Sequence, residues 1–202
     1  MKFDNRETLS YMAFHGMLEK TISLIDQDKN RDKDKKSEFL KLNLSRLNRI
    51  YKTCKISNKI TQFFNHIEQT QIWLVITEPW CGDSAQTLPI MAKIAEASAG
   101  KIQLKIVLRD QNLDIMDQYL SNGSRSIPKL IAYDLDGNDL FTWGPRPKPA
   151  QHLFDLWKLS KDLNWDEFEM NLHKWYTYDK GETFQSEIFE KIQFTHLTYL
   201  KI

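Results

Sequence analysis

Residues 71–84 read Gln71-Ile72-Trp73-Leu74-Val75-Ile76-Thr77-Glu78-Pro79-Trp80-Cys81-Gly82-Asp83-Ser84. Ile72 to Ile76 is a short, uncharged run rich in β-formers, which predicts a buried strand. Ser84 to Ala99 is helix-like and stops at Gly100, a good C-terminal signal. Cys81 therefore stands where a strand gives way to a helix. Unpaired backbone N–H groups and the positive end of the helix dipole favour a thiolate there. The thiolate is the nucleophile, so the position predicts a reactive, partly exposed thiol with a pKa below that of a free cysteine. Asp83 opposes the effect with a negative charge two residues away, and is expected to turn to water. Ser84 can donate a hydrogen bond to the thiolate but cannot form a disulfide. The rival reading is a merely structural cysteine.

Downstream, Ile102–Leu108 reads as a second strand and Asp114–Leu120 as a short helix closed by Asn122-Gly123. Ile127–Tyr133 and Leu140–Trp143 read as strands joined across Asp136-Gly137, a hairpin signal. The 134–139 stretch is not a calcium loop, because its glycine comes too early and Pro145 takes the place of the terminal Glu. After the Pro-rich 144–149 segment, helices are expected over 150–160, 165–175 and 183–192. The aromatics there (Trp157, Trp165, Trp175, Tyr176, Tyr178) read as packing rather than a ligand box. Upstream, helices are expected over 6–25, with Leu9, Met12, Ala13, Met17, Leu24 and Ile25 on the inner face, over 39–51, and over 58–67. The charge run from Asp26 to Glu38 carries five acids and five bases and reads as a solvated loop. A strand–helix–strand unit favours parallel pairing, and the hairpin adds an antiparallel edge. The expected class is α/β, a mixed sheet covered by helices.

These residues, in this order, resemble the thioredoxin family. The family's Trp-Cys-Gly-Pro-Cys turn is matched by Trp80-Cys81-Gly82-Asp83-Ser84, and its helix proline by Pro89, eight residues after Cys81. Its Asp-Gln-Asn is matched by Asp110-Gln111-Asn112, its Ile-Pro by Ile127-Pro128, and its later glycine by Gly144. The resemblance covers about residues 60–162 and points to a bacterial branch with a Trp-Cys-Gly-Asp turn and helical flanks. It implies a thioredoxin-like core at 60–162 within one domain, with helical extensions at 1–59 and 163–202. It also implies a cis Ile127-Pro128 bond opposite the cysteine, and a partner bound at Trp80, Gly82, Asp83, Ile127 and Pro128. Three departures bear on function. Ser84 replaces the second cysteine, Asp83 replaces the intervening proline, and Val75 stands where the family keeps a buried aspartate.

Composition narrows the rest. The 202-residue chain is 41% apolar and 27% charged with a net charge of +1, so no field draws it to nucleic acid or an anionic membrane. The longest apolar run is too short to span a bilayer, and the N-terminal stretch lacks a signal-peptide pattern. A cytoplasmic location is expected, where thiols stay reduced and a structural disulfide between Cys54 and Cys81, the two cysteines, is not. Cys54, among lysines, is a weak candidate to resolve Cys81. The five histidines show no ligand-like spacing, so no metal is expected, and no phosphate loop or other cofactor motif is present. Glu78 reads as a solvated loop acid ahead of a proton shuttle. The expected function is single-cysteine thiol–disulfide exchange, with Cys81 as nucleophile and Ser84 beside it. Its partner is a disulfide-containing protein or a low-molecular-weight thiol, and removal of low-molecular-weight thiol caps fits best. The alternative is a non-catalytic binding or redox-sensing module on the same fold. The sequence sets no oligomeric state.

Overall fold

The structure is a computed structural model, and it describes residues 3, 6–27, 35–67, 69–160 and 164–199. Three helices come first: α1 (Tyr11–Gln27), α2 (Lys35–Thr53) and α3 (Asn58–His66). The core follows as β1 (Gln71–Thr77), α4 (Gly82–Ala97), β2 (Ile102–Leu108), α5 (Leu113–Met116), β3 (Lys129–Tyr133) and β4 (Asp139–Trp143). Three helices end the chain: α6 (Lys148–Leu159), α7 (Trp165–Asp179) and α8 (Glu182–Tyr199). No described helix is long and apolar enough to cross a membrane.

The sheet order is β2-β1-β3-β4. β1 pairs with β2 in parallel, Val75 opposite Ile106, and with β3 antiparallel, Val75 opposite Leu130. β3 and β4 form the antiparallel hairpin, in which Asn138 N–H is held by the Asp134 carboxylate and Gly137 takes a φ of +92°. A strand side chain points to alternate faces, and β1 has a separate core on each. Trp73 and Val75 join α1, α2, α3, α4 and α8 on one side. Ile72, Leu74 and Ile76 join Ile115, Met116, Ile127 and Cys81 on the other. Val75 thus packs wholly within apolar surroundings, with no exposure.

Two expectations about the N-terminal part are corrected. The inner face of α1 is Tyr11, Phe14, Leu18 and Ile22, while Met12 and Leu24 lie 63% and 58% exposed. The inner face begins at a tyrosine and a phenylalanine, which the aliphatic reading skipped. The charge run also does not stay a loop throughout: Asp26 and Gln27 end α1, and Lys35 already begins α2. The middle of that run, 28–34, lies outside the described residues. β3 starts at Lys129 rather than Ile127, because Pro128 has no N–H to give a ladder.

The chain closes tightly behind the thiol turn. The Ile127–Pro128 and Gly144–Pro145 peptide bonds are both cis. Gly144 has a φ of +120°, and a Cβ there would lie 2.1 Å from the Pro128 carbonyl oxygen. Only glycine allows β4 to end against the 127–128 loop.

Candidate functional site

Cys81 is the N-cap of α4, with extended backbone (φ −79°, ψ 112°). Its sulfur accepts the Ser84 N–H at 3.4 Å, the cap interaction a helix start needs. Its S–H donates to the Ile127 carbonyl at 3.3 Å, which ties the thiol turn to the loop before Pro128. The thiol lies on the floor of a groove of about 650 Å³, within the usual range for small-molecule sites. One wall is the 124–127 loop; the other is α7, through Trp165, Phe168, Leu172 and His173.

The thiol differs from the sequence expectation in exposure and in charge. It is only 7% exposed, and α7 covers the turn, with His173 against Gly82 and Tyr176 on Asp83. Burial, then the negative charge of Asp83, pushes its pKa up to about 11, against the hydrogen bonds from Ser84 and the charge of Arg146. The helix N-terminus does supply its donor, but desolvation outweighs it. Asp83 does not turn to water. It is buried, with Oδ2 2.7 Å from an Arg146 Nη and Oδ1 accepting the Tyr176 hydroxyl at 2.9 Å. Burial pushes its carboxyl up, and Arg146 first, then Tyr176, pull it back.

A pH dependence follows. With Cys54 replaced by serine, alkylation of Cys81 by iodoacetamide should rise about tenfold per pH unit above pH 7 and keep rising past 8.5, the free-thiol value. The sign is that of an acid held protonated by the fold: thiolate appears only as pH climbs toward about 11. A plateau reached by about pH 8.5 contradicts a buried thiol facing Asp83.

The other predicted site residues distribute as follows. Ser84 is buried, and its Oγ is taken by the Thr77 hydroxyl at 2.5 Å as well as lying beside the sulfur. Trp80 is 36% exposed, with Arg109 over its ring at 4.8 Å. Gly82 lies close under His173: a Cβ there would sit 3.2 Å from Nε2, so the ring would have to give by a few tenths of an ångström. Ile127 is buried beside the thiol, next to Pro128. Glu78 is not a solvated loop acid: it is 7% exposed, and its carboxylate accepts the Asp110 N–H at 2.9 Å. That bond fixes the 109–111 turn beneath Trp80. Cys54 lines a different cavity, with its sulfur near the Gln185 amide and the Lys55 carbonyl, and burial pushes its pKa up.

Sequence reasoning missed Arg146, Tyr176, His173, Gln86 and Arg46. His173 Nδ1 is 3.1 Å from the Gln86 amide nitrogen, and burial, then Arg46 and Arg146, holds the ring neutral, with a pKa of about 3. Arg46 bonds Asn43, whose amide donates to the Pro79 carbonyl, so α2 also grips the turn. One signal was available: an acid in the first turn of a buried helix requires a counter-charge. Among the described residues no group of three metal-ligating side chains converges. The described lining of the groove carries Lys35, Arg109, Arg125 and Arg146 with Asp83 and Glu169, and its arginines are ion-paired, Arg109 with Asp110, Arg125 with Asp117 and Arg146 with Asp83.

Comparison with known proteins agrees with this geometry. A family model described as Thioredoxin matches residues 30–158, well over half of the chain. Thioredoxin 1 of Nostoc sp. (strain PCC 7120 / SAG 25.82 / UTEX 2576) is 38% identical over 55 residues. That match covers 27% of this chain and 49% of the relative, so the chain spans about half the length of that curated protein. Among solved structures, a protein of unknown function from Pseudomonas aeruginosa superposes with a TM-score of 0.62 at 18% identity. The alignment covers 95% of this chain and 94% of that one, so the similarity of fold extends over the helical flanks. An HIV epitope-scaffold superposes with a TM-score of 0.55 at 18% identity, over 78% of this chain and 90% of that one.

Proposed function

The chain belongs to the thioredoxin family, and from that we propose that it performs single-cysteine thiol–disulfide exchange at Cys81, removing low-molecular-weight thiol caps. The observation that carries the reading is the Cys81 sulfur on the floor of a small-molecule-sized groove, with the Ser84 hydroxyl, not a second sulfur, beside it. The α7 wall suits a small substrate better than a folded protein.

The exchange balances as follows. The Cys81 sulfur attacks the cap sulfur of a mixed disulfide. The S–S bond breaks, the substrate leaves as a thiolate, and the proton lost by Cys81 ends on it. A second low-molecular-weight thiol, the reductant, then attacks the cap sulfur and restores Cys81. The Ile127 carbonyl orients the S–H before attack.

The test is turnover of a peptide cysteine capped by glutathione, with glutathione as reductant. Wild type and Cys54→Ser should turn over equally, and Cys81→Ser not at all. Equal activity of Cys81→Ser and wild type would sink the proposal. The burial of the thiol favours one rival, a redox-sensing or binding module. Under that reading, all three proteins are inactive.

A further inference from the structure

We propose that α7 is a lid over Cys81, latched by the Tyr176 hydroxyl on the Asp83 carboxylate, and that the thiol reacts from the open form. The proposal concerns regulation of the exchange site and rests on that reading for its biological consequence, though not for its test.

Three observations carry it. First, α7 does not share either face of the sheet core. Its buried residues Phe168, Leu172 and Tyr176 form a separate apolar cluster with Ala150, Leu153 and Phe154 of α6. Second, its hold on the thiol turn is polar: Tyr176 donates to Asp83 Oδ1 at 2.9 Å, and His173 meets the Gln86 amide at 3.1 Å. Polar latches exchange with water at small net cost, whereas a buried apolar seam does not. Third, the two helices leave space between them: a cavity of about 500 Å³ is lined by Gln86 of α4, Tyr176 and Thr177 of α7, and Phe184 of α8. α7 and α4 are thus not closely packed together over that stretch.

Closed, the lid lets His173 cover Gly82 and leaves the sulfur almost without exposure. Open, water reaches both Cys81 and Asp83. The two causes that keep the thiol protonated, burial and the nearby Asp83 carboxylate, then relax together. A small mixed disulfide in the groove would meet the reactive form only during such openings.

The test uses the full chain with Cys54→Ser, with and without Tyr176→Phe, a change that removes one oxygen. Iodoacetamide labelling of Cys81 at pH 7 should run about ten- to a hundredfold faster in Tyr176→Phe, the range for losing one hydrogen bond to a charged group. Amide exchange should be faster in α7 than in α4 and β1 in both proteins, and Tyr176→Phe should speed α7 and the α6 segment packed to it, not α4 or β1. An unchanged labelling rate overturns the lid. So does faster labelling accompanied by equally faster exchange in α4 and β1, since that reports a general loss of stability. Faster labelling and faster α7 exchange, with no turnover of a capped peptide by either protein, would support the lid and remove the exchange reading.

Discussion

Arg146→Met is expected to lower the unfolding free energy by about 3–5 kcal/mol at neutral pH, the range for breaking one side of a buried ion pair. Arg146 places its Nη2 2.7 Å from Asp83, and only 12% of its side chain and 7% of its partner's are exposed. With the guanidinium gone, Asp83 keeps the Tyr176 hydroxyl but loses its counter-charge. The loss should depend on pH in a stated direction. Burial already pushes the Asp83 carboxyl up, and Arg146 is the main group pulling it down. Without Arg146 the folded state holds that proton to higher pH than the unfolded chain, whose carboxyl titrates at about 3.9. The wild type's folded value already lies above the unfolded one, so the two proteins lose stability alike as pH first rises, and the deficit grows only from the wild type's folded value up to the variant's higher one. Urea melts at pH 4 and pH 7 should show the smaller difference at pH 4. The double variant Asp83→Leu with Arg146→Met should recover most of the loss, since an apolar pair replaces the ionic one. A single variant as stable as wild type at pH 7 would mean that Asp83 is not ionised and buried there.

Ser84→Cys should turn a protein that barely reduces insulin-type disulfides into one that does so measurably. Attack by Cys81 leaves a mixed disulfide, and in the wild type a second molecule must displace it. A thiol at position 84 would act within the turn, where effective concentrations on the order of 10⁵ M are reached by well-oriented groups. Residue 84 is already in contact, because its N–H donates to the Cys81 sulfur at 3.4 Å. Two features hold the gain below that of a two-cysteine thioredoxin. Val75, wholly buried among apolar side chains, offers no acceptor for the new thiol's proton. The Ser84 pocket is tight, with Thr77 Oγ1 2.5 Å from the serine oxygen, so sulfur should cost about 1–3 kcal/mol of stability. If wild type reduces protein disulfides as fast as Ser84→Cys, then Cys54 resolves Cys81 and the single-thiol mechanism is wrong.

The strand, turn and helix around Cys81 were legible because their signals are local. Five apolar residues make β1, a cysteine caps α4, and Gly100 with φ +85° lies just past its end. The order of the elements followed from the same local patterns. The state of the thiol was not legible, because it is set by residues remote in sequence. Tyr176 reaches Asp83 from 93 positions later, and His173 reaches Gln86 from 87 positions later. The helical flank was readable as helices, but its seat over the thiol turn depends on tertiary packing that periodicity does not encode. The same limit misplaced Glu78, which looks like a loop acid until the Asp110 N–H is brought to it.

The most direct measurement is the intact mass of the Cys54→Ser protein during turnover of the glutathione-capped peptide. Exchange at Cys81 predicts one adduct with the mass of a single glutathione, mapping to Cys81 and released by excess thiol as the peptide is freed. A peptide that loses its cap without an adduct ever forming on Cys81, or a protein that neither gains the adduct nor frees the peptide, contradicts it.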